Sequence, residues 1–324
     1  MNPKAESIPL PFLTVVIPTR NRPRQIRQCL DSLAEQSYPR DRWEAIVVVD
    51  GEDCPVLDSA EWPGAMQLRS IRQRHSGCGI ARNAGASLAG GEFLIFTDDD
   101  CLFPADWLSR YAKCIRRHPA CLVAGRSVNG LVENPYSQTT QDIIDYLLAL
   151  GNPAWHDAAL AIGNNFGVPA KAFRELAGFS VRYFRSTAED REFSARWRAS
   201  GRRIIFAPEV MVEHVHHLTW CSFLEQHYRY GRGAWLLHHR GSDKLGSDKL
   251  GSDMGGQKIG RQEASYYGAL LHRPFVIYRG LRAWGAFALL LLSQAAHSAG
   301  YASAYFSRFP SAPKAAADEM RGEV

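Results

Sequence analysis

"GEFLIFTDDDC", Gly91 to Cys101, runs an apolar stretch, Phe93 to Phe96, straight into three carboxylates, Asp98, Asp99 and Asp100. The apolar stretch reads as a short strand buried on both faces. Three adjacent carboxylates repel one another and must be desolvated together, which costs stability unless a cation or a catalytic role compensates. Open α/β sheets bind ligands beyond the carboxyl ends of their parallel strands, and there such a triplet can hold a hard divalent cation, Mg²⁺ or Mn²⁺. Successive side chains of extended backbone point to opposite faces, so Asp98 and Asp100 are expected to share a side while Asp99 points elsewhere. Taken alone, the triplet reads equally as an exposed acidic turn ending a strand.

On the N-terminal side, "LTVVIP" (13–18), the helically spaced Ile26, Leu30 and Leu33, and "EAIVVVD" (44–50) form a βαβ beginning. A strand around "MQLRSI" (66–71) and a helix over 80–89 lead into the acidic stretch. Later come a strand at "CLVAG", a helix over 139–150, "AIGNNFGVP" (161–169) and a helix over "AEDREFSARWRASG" (188–201). This alternation predicts the α/β class, with a mostly parallel central sheet flanked by helices. The 324 residues, 46% of them apolar, suffice for a substantial core, which excludes global disorder. A net charge of +5 suits anionic small molecules, an acidic membrane surface or nucleic acid equally, so charge alone selects no partner.

The seven cysteines form no CxxC pair, which argues against a disulfide framework and for a reducing compartment. "MNPKAESIPLPFL" lacks the basic and apolar regions of a secretion signal. The repeat "GSDKLGSDKLGSDMGG" (241–256) predicts a flexible Gly/Ser/Asp linker over 241–260, between a domain at 12–240 and a helical region at 261–310, with tails at 1–11 and 311–324. "AWGAFALLLLSQAAHSAGYASAYF" (283–306) is long enough for a membrane span, but Ser293, Gln294, His297 and Ser298 interrupt it. A helix docked on the protein or lying at a membrane surface is expected instead, with Arg273, Arg279, Arg282 and Arg308 suited to anionic headgroups.

The motifs "VVIPTRNRP" (15–23), "VVVDG" (47–51) and "GIARNAGASLAGGEFLIFTDDD" (79–100), in that order and spacing, resemble glycosyltransferase family 2. The resemblance runs over 12–240 and implies the GT-A fold, with a nucleotide-binding part over 12–126 and an acceptor-binding part over 127–240. It further implies that the loop at Pro18, Thr19 and Arg20 borders the nucleotide, that Asp50 binds the base and that Arg82 lies near the diphosphate. Asp98 and Asp100 correspond to the metal-binding DxD acids, and Asp99 makes the middle position acidic as well. In "STAEDREFSARW" (186–197) the family's ED pair maps to Glu189 and Asp190, with Asp190 the base for an inverting displacement and Glu189 an orienting group. An acidic first turn complementing a helix dipole explains the same residues structurally.

Within "RRIIFAPEVMVEHVHH" (202–217) the family places a histidine near metal or diphosphate. His214 fits best, with His216 and His217 competing. "GNNFGVPAKAFRELAGF" (163–179) resembles the segment that shapes the sugar pocket, where Asn164 and Asn165 are placed to bond hydroxyls. The usual "GGFD" is "AGFS" here, without its acid. The "YGRG" stretch suggests Arg229 and Arg232 as phosphate contacts. Its interleaved basic and aromatic residues also resemble a single-stranded nucleic-acid surface, yet no binding module accompanies them, and no nucleic-acid partner is expected.

The expected activity is therefore metal-dependent, inverting glycosyl transfer, from a nucleotide sugar of the UDP-sugar class to a hydroxyl of a glycan, a lipid-linked precursor or a small natural product. The expected location is cytoplasmic, or peripheral on the cytoplasmic face of an inner membrane. The rivals are a non-catalytic nucleotide-sugar or carbohydrate-binding protein and a sugar nucleotidyltransferase, though the Gly-rich loop after the first strand that the latter uses is missing. A Rossmann dehydrogenase is excluded, because "TRNRP" follows the first strand where GxGxxG is needed.

Overall fold

Strand β1 (Leu13–Thr19) is buried at every residue, as its unbroken apolar run requires. Its odd residues Leu13, Val15 and Ile17 enter one core, while Val16 enters another. The chain is represented by a computed structural model that describes residues 9–51, 66–151, 158–181, 187–240 and 264–307. The predicted linker at 241–260 and the C-terminal tail at 311–324 lie outside these residues, as does most of the N-terminal tail.

Helix α1 (Pro23–Ala34) opens on a proline and leads to β2 (Trp43–Asp50). Strand β3 (Leu68–Gln73), helix α2 (Cys78–Ser87) and strand β4 (Phe93–Thr97) come after it. Then come β5 (Cys101–Leu102), α3 (Trp107–Arg117), β6 (Leu122–Asn129) and α4 (Pro135–Gly151). Next are β7 (Asn165–Pro169), α5 (Ala170–Glu175), α6 (Glu189–Ala199), β8 (Ile204–His214) and α7 (Trp220–Arg240). Helices α8 (Ala264–Ile277) and α9 (Leu281–Ser307) complete the described chain.

The eight strands form one sheet in the order β3-β2-β1-β4-β7-β6-β8-β5. The first four are parallel, as the βαβ reading predicts. Strand β7 then runs antiparallel to both β4 and β6, so the sheet is mixed, while its parallel pairs, β6 with β8 among them, stay in the majority as expected. The periodicity of this five-residue strand carries no direction, because side chains alternate alike in parallel and antiparallel pairing.

One face of the sheet packs Ile26, Leu30 and Leu33 of α1 and Trp107 and Tyr111 of α3. The other buries Phe96, Phe166, Phe173, Phe179, Phe193 and Trp197, with Phe96 and Phe166 ring centroids 5.1 Å apart. Helix α2 lies close on that face because Gly85 has no side chain: a Cβ there would sit 2.5 Å from Cγ1 of Val16. Among the described residues, no helix is long and apolar enough to cross a membrane.

Candidate active site

The carboxyl ends of β1, β2 and β4 converge with α2, α6 and the end of β8. The three aspartates do not continue the strand: the Cys101 amide donates to the Asp98 carbonyl at 3.3 Å, closing a turn. The alternation expected of extended backbone therefore fails, and Asp98 and Asp100 do not form the pair anticipated for them. Asp99 and Asp100 instead share Arg22, whose Nη1 lies 3.1 Å from Oδ1 of Asp99 and 2.9 Å from Oδ2 of Asp100. Thr19 adds a hydroxyl donor to Asp99 at 2.7 Å. Burial and the neighbouring Asp100 raise the pKa of Asp99. Burial acts the same way on Asp100, but His214, His216 and Arg22 outweigh it and hold that carboxyl well below the ordinary range.

Asp98 faces the other way, with Oδ1 2.6 Å from Nη2 of Arg82. Nη1 of the same guanidinium lies 3.0 Å from Oε1 of Glu189. Arg82 is only 2% exposed and joins the end of β4 to the start of α6, reaching a residue 107 positions along the chain. The sequence places "ARNAG" at a helix N-terminus, ready for anions. Helix α2 starts at Cys78, so Arg82 is already in its second turn, and the side chain acts rather than the helix end. Both of its carboxylate contacts are internal, which makes it the bridge of the site. Gly163 lies flat on it: a Cβ at 163 would come within 2.9 Å of both terminal nitrogens.

The Gly163 amide in turn donates to Oδ2 of Asp190 at 3.1 Å, and the Arg191 amide to Oδ1 at 2.8 Å. Asp190 is half-buried, while its neighbour Glu189 is buried. Burial and the adjacent Asp190 raise the Glu189 pKa, against the pull of Arg82. Thus Asp98, Arg82, Glu189 and Asp190, which the sequence singles out separately, form one connected group.

Strand β8 ends at His214, which pairs with Cys101, so the histidine stands beside the acidic turn. Its Nε2 lies 3.1 Å from Oδ1 of Asp100, and Nδ1 of His216 lies 3.5 Å from Oδ2. Of the three competing histidines, 214 and 216 both reach Asp100 and His217 is exposed. Among the described residues, Asp100, His214 and His216 are the group able to hold a metal ion, one ligand atom from each lying within 4.8 Å of the others. Oδ1 of Asp100 is buried beside His214 Nε2, so this oxygen and that imidazole nitrogen already face one another as two ligands of one ion would. One carboxylate and two imidazoles fit a divalent transition ion better than Mg²⁺. Asp98, expected among the ligands, is outside this group.

Asp50, at the end of β2, accepts four hydrogen bonds from its own chain: Gln73 Nε2 at 2.8 Å, His75 Nδ1 at 2.9 Å, and the Ser76 and Gly77 amides at 2.7 and 2.8 Å. Burial raises its pKa, but these donors outweigh it, and the net shift is downward. Asp50 therefore pins the loop that opens α2. His75, which sequence reasoning misses, also reaches Nη1 of exposed Arg20 at 3.0 Å. Pro18 and Thr19 end β1 at this rim.

Asn165 does not serve a sugar. Its Oδ1 accepts from Tyr111 Oη at 2.8 Å and Trp107 Nε1 at 3.2 Å, and its Nδ2 donates to the carbonyls of Arg126 and Val210. Asn164 accepts from Ser127 Oγ at 2.7 Å and lies buried behind the acidic turn. On α7, Arg229 is exposed, Arg232 is half-buried, and Tyr230 is the residue whose hydroxyl feels the charges of Arg191, Asp190 and Asp98. Sequence reasoning also misses Tyr230, inside the quoted "YGRG", because helix phase decides which of three adjacent residues turns inward.

A mixed sheet flanked by helices, with an acidic turn at its carboxyl edge, defines the GT-A class of fold. The sequence profile of Glycosyl transferase family 2 matches residues 14–177, half of the chain, and the chain belongs to that family. The pre-mycofactocin glycosyltransferase of Mycobacterium tuberculosis is 28% identical over 239 residues, 72% of this chain and 48% of that protein. Glycosyltransferase AglE of Haloferax volcanii is 32% identical over 119 residues, 36% of this chain and 39% of its own length. The chain thus spans about half, or less, of the length of these relatives. In fold it is similar to the mannosyltransferase PcManGT from Pyrobaculum calidifontis, solved in complex with GDP-Man and Mn²⁺. The TM-score is 0.61 at 19% identity, covering 90% of this chain and 88% of that one. S. aureus TarS 1-349 in complex with UDP-GlcNAc gives a TM-score of 0.52 at 18% identity, with 91% of each chain covered.

Proposed function

We propose that this protein transfers a sugar from a nucleoside diphosphate sugar, of the UDP-sugar class, to a hydroxyl of a glycan, lipid-linked or small-molecule acceptor, with inversion at the anomeric carbon. The observation that carries this reading is the Asp98–Arg82–Glu189 bridge, which sets Asp190 beside the acidic turn. Family membership and the nucleotide-sugar complexes of similarly folded proteins support it.

The donor nucleotide lies along the carboxyl edge of β1, β2 and β3, at Pro18, Thr19, Arg20, His75 and the loop that Asp50 fixes. Asp100, His214 and His216 would hold Mn²⁺, which when bound supplies a positive charge for the departing diphosphate. Arg22, shared by Asp99 and Asp100, is a second cation at the same place. In a single displacement the acceptor oxygen forms its bond to the anomeric carbon as the bond to the phosphate oxygen breaks. The electron pair leaves with the nucleoside diphosphate, and the acceptor proton passes to Asp190. Two backbone amides orient that carboxylate and leave lone pairs for the proton. Glu189, tied to Arg82, holds the start of α6 in place. Cytoplasmic residence, with peripheral contact of the C-terminal helices with a membrane, belongs to the same reading.

The test is Asp190→Asn with product analysis: nucleotide binding is expected to persist while transfer falls by at least a hundredfold, the usual size of a general-base contribution. Wild-type turnover in this variant would overturn the assignment.

A further inference from the structure

The sequence reads the long C-terminal helix as docked on the protein or lying at a membrane surface. The structure packs it against α7. Helix α9 crosses α7 at close range, through Gly231 and Gly300: a Cβ on either would sit within 2 Å of a carbonyl of the other helix, His297 O at 1.8 Å or Tyr228 O at 1.9 Å. Between Ser293 and Ala304 the exposed positions of α9 are alanine and serine only. Leu291 and Leu292 before this stretch and Tyr305 and Phe306 after it are also exposed, but the largest group of exposed apolar side chains gathers at the turn joining α8 to α9, where Gly280 reverses the chain at φ +59°. There Leu281 is 90% exposed, Val276 71% and Trp284 62%, with Phe275 and Ile277 beside them.

This tip is held firmly. Phe275, Trp284 and Phe287 pack edge to face or tilted, with ring centroids 4.9 to 6.0 Å apart. Tyr278 turns inward and donates its hydroxyl to Asp142 of α4 at 2.7 Å. A rigid apolar projection of this kind on a protein surface marks a contact. Its charge selects the partner. Arg279 and Arg282 are exposed within the tip, and Ala264 to Ser307 contains no aspartate or glutamate. A symmetric contact between two copies would set these arginines against their own equivalents, with no acid of the tip between them.

We propose that the α8–α9 turn is a wedge that enters an anionic lipid surface tip first, with Val276, Leu281 and Trp284 below the headgroups and Arg279 and Arg282 among them. This refines the peripheral contact proposed with the function, but it does not depend on sugar transfer. Tryptophan at the headgroup level and arginine against acidic lipid are the expected pairing at such a depth. His297, whose imidazole feels Arg191 of α6, lies 13 residues along α9 from Trp284. At 1.5 Å per residue that is roughly 20 Å along α9.

The experiment is flotation of the full chain with vesicles of phosphatidylcholine, with and without phosphatidylglycerol. Wild type should float with the anionic vesicles, and Trp284 emission should shift to shorter wavelength, a change absent in W284F. L281S/W284S should lose binding by tenfold or more. R279Q/R282Q should weaken it roughly fivefold for each arginine removed, and high salt should do the same to wild type. Nucleotide binding and melting temperature, measured on the same variants, should stay at wild-type values, which separates failure of the wedge from failure of the donor site or of folding. Wild type that stays unbound to anionic vesicles overturns the proposal, as does L281S/W284S floating like wild type. A dimer that L281S/W284S dissociates, with no vesicle binding, would show instead that a second copy covers the tip.

Discussion

Replacing Arg82 by methionine removes one cation from between two carboxylates and keeps most of the apolar stem. Asp98 is about one-third exposed and regains water; Glu189 is not, and one of its oxygens, Oε2, is already buried without a partner. Leaving a buried charge uncompensated costs about 3–5 kcal/mol. The chain has an escape, since Glu189 can take up a proton. Starting from the ordinary glutamate value of 4.5, that costs about 3 kcal/mol at pH 7 and about 1.4 kcal/mol at pH 5.5, at 1.36 kcal/mol per unit. Protonation therefore sets the ceiling. The native state of the variant then holds a proton that the unfolded chain lacks, so lowering the pH favours it. Burial already raises the native Glu189 pKa, so the loss lies below that ceiling: urea unfolding monitored by tryptophan fluorescence should show Arg82→Met losing about 1–3 kcal/mol at pH 7 and less at pH 5.5. The double variant R82M/E189Q should recover most of the loss. A loss below about 0.5 kcal/mol at pH 7, within the range of an ordinary surface change, would refute the bridge, and so would a loss that ignores pH.

The α7–α9 contact sets two further outcomes. Gly300→Ala places a methyl group against the Tyr228 carbonyl, which is backbone and cannot rotate away, so the helices must separate. Faster hydrogen exchange confined to α9, with a stability loss of about 1–3 kcal/mol, is expected, and unchanged exchange would contradict the packing. His227 and His297 sit in this region with pKa values pushed down to about 4 by burial and by neighbouring cationic groups. The unfolded chain binds more protons than the fold between pH 6.5 and 4, so stability is present at neutral pH and falls as the pH drops through that window. At pH 5 the ceiling is about 2 kcal/mol for each imidazole. Melting temperature measured from pH 7.5 to 5 should therefore decline, less steeply in His297→Gln, and a profile identical in the two proteins would show that His297 is not the group responsible.

The first half of the sheet was legible because its strands are unbroken apolar runs, and period and length suffice to read them. The direction of β7 was not, since five residues look alike either way. Asp98 and Asp100 were mis-paired for a definite reason: alternation holds only while the backbone stays extended, and it turns at Asp98. His216 and His217 lie beyond the end of β8, so contact with Asp100, and not strand alternation, separates His214 and His216 from His217. Arg22, within the quoted "VVIPTRNRP", and His75 were overlooked because each acts on an aspartate far away in the chain, 77 and 78 residues on for Arg22 and 25 back for His75. Residue spacing gives no sign of such pairs. Asn165 was credited with a sugar because nothing in "GNNFG" reveals that four internal groups already use its amide.

The decisive measurement is calorimetric titration of UDP into the wild-type protein and into Asp100→Asn, each with and without Mn²⁺. Among the described residues Asp100 is the carboxylate that meets both histidines, so wild type should bind the nucleotide tightly only when the ion is present, and the variant should show the same weak binding in either buffer. Equal affinity in all four titrations would mean that the acidic turn does not hold a cation for the diphosphate.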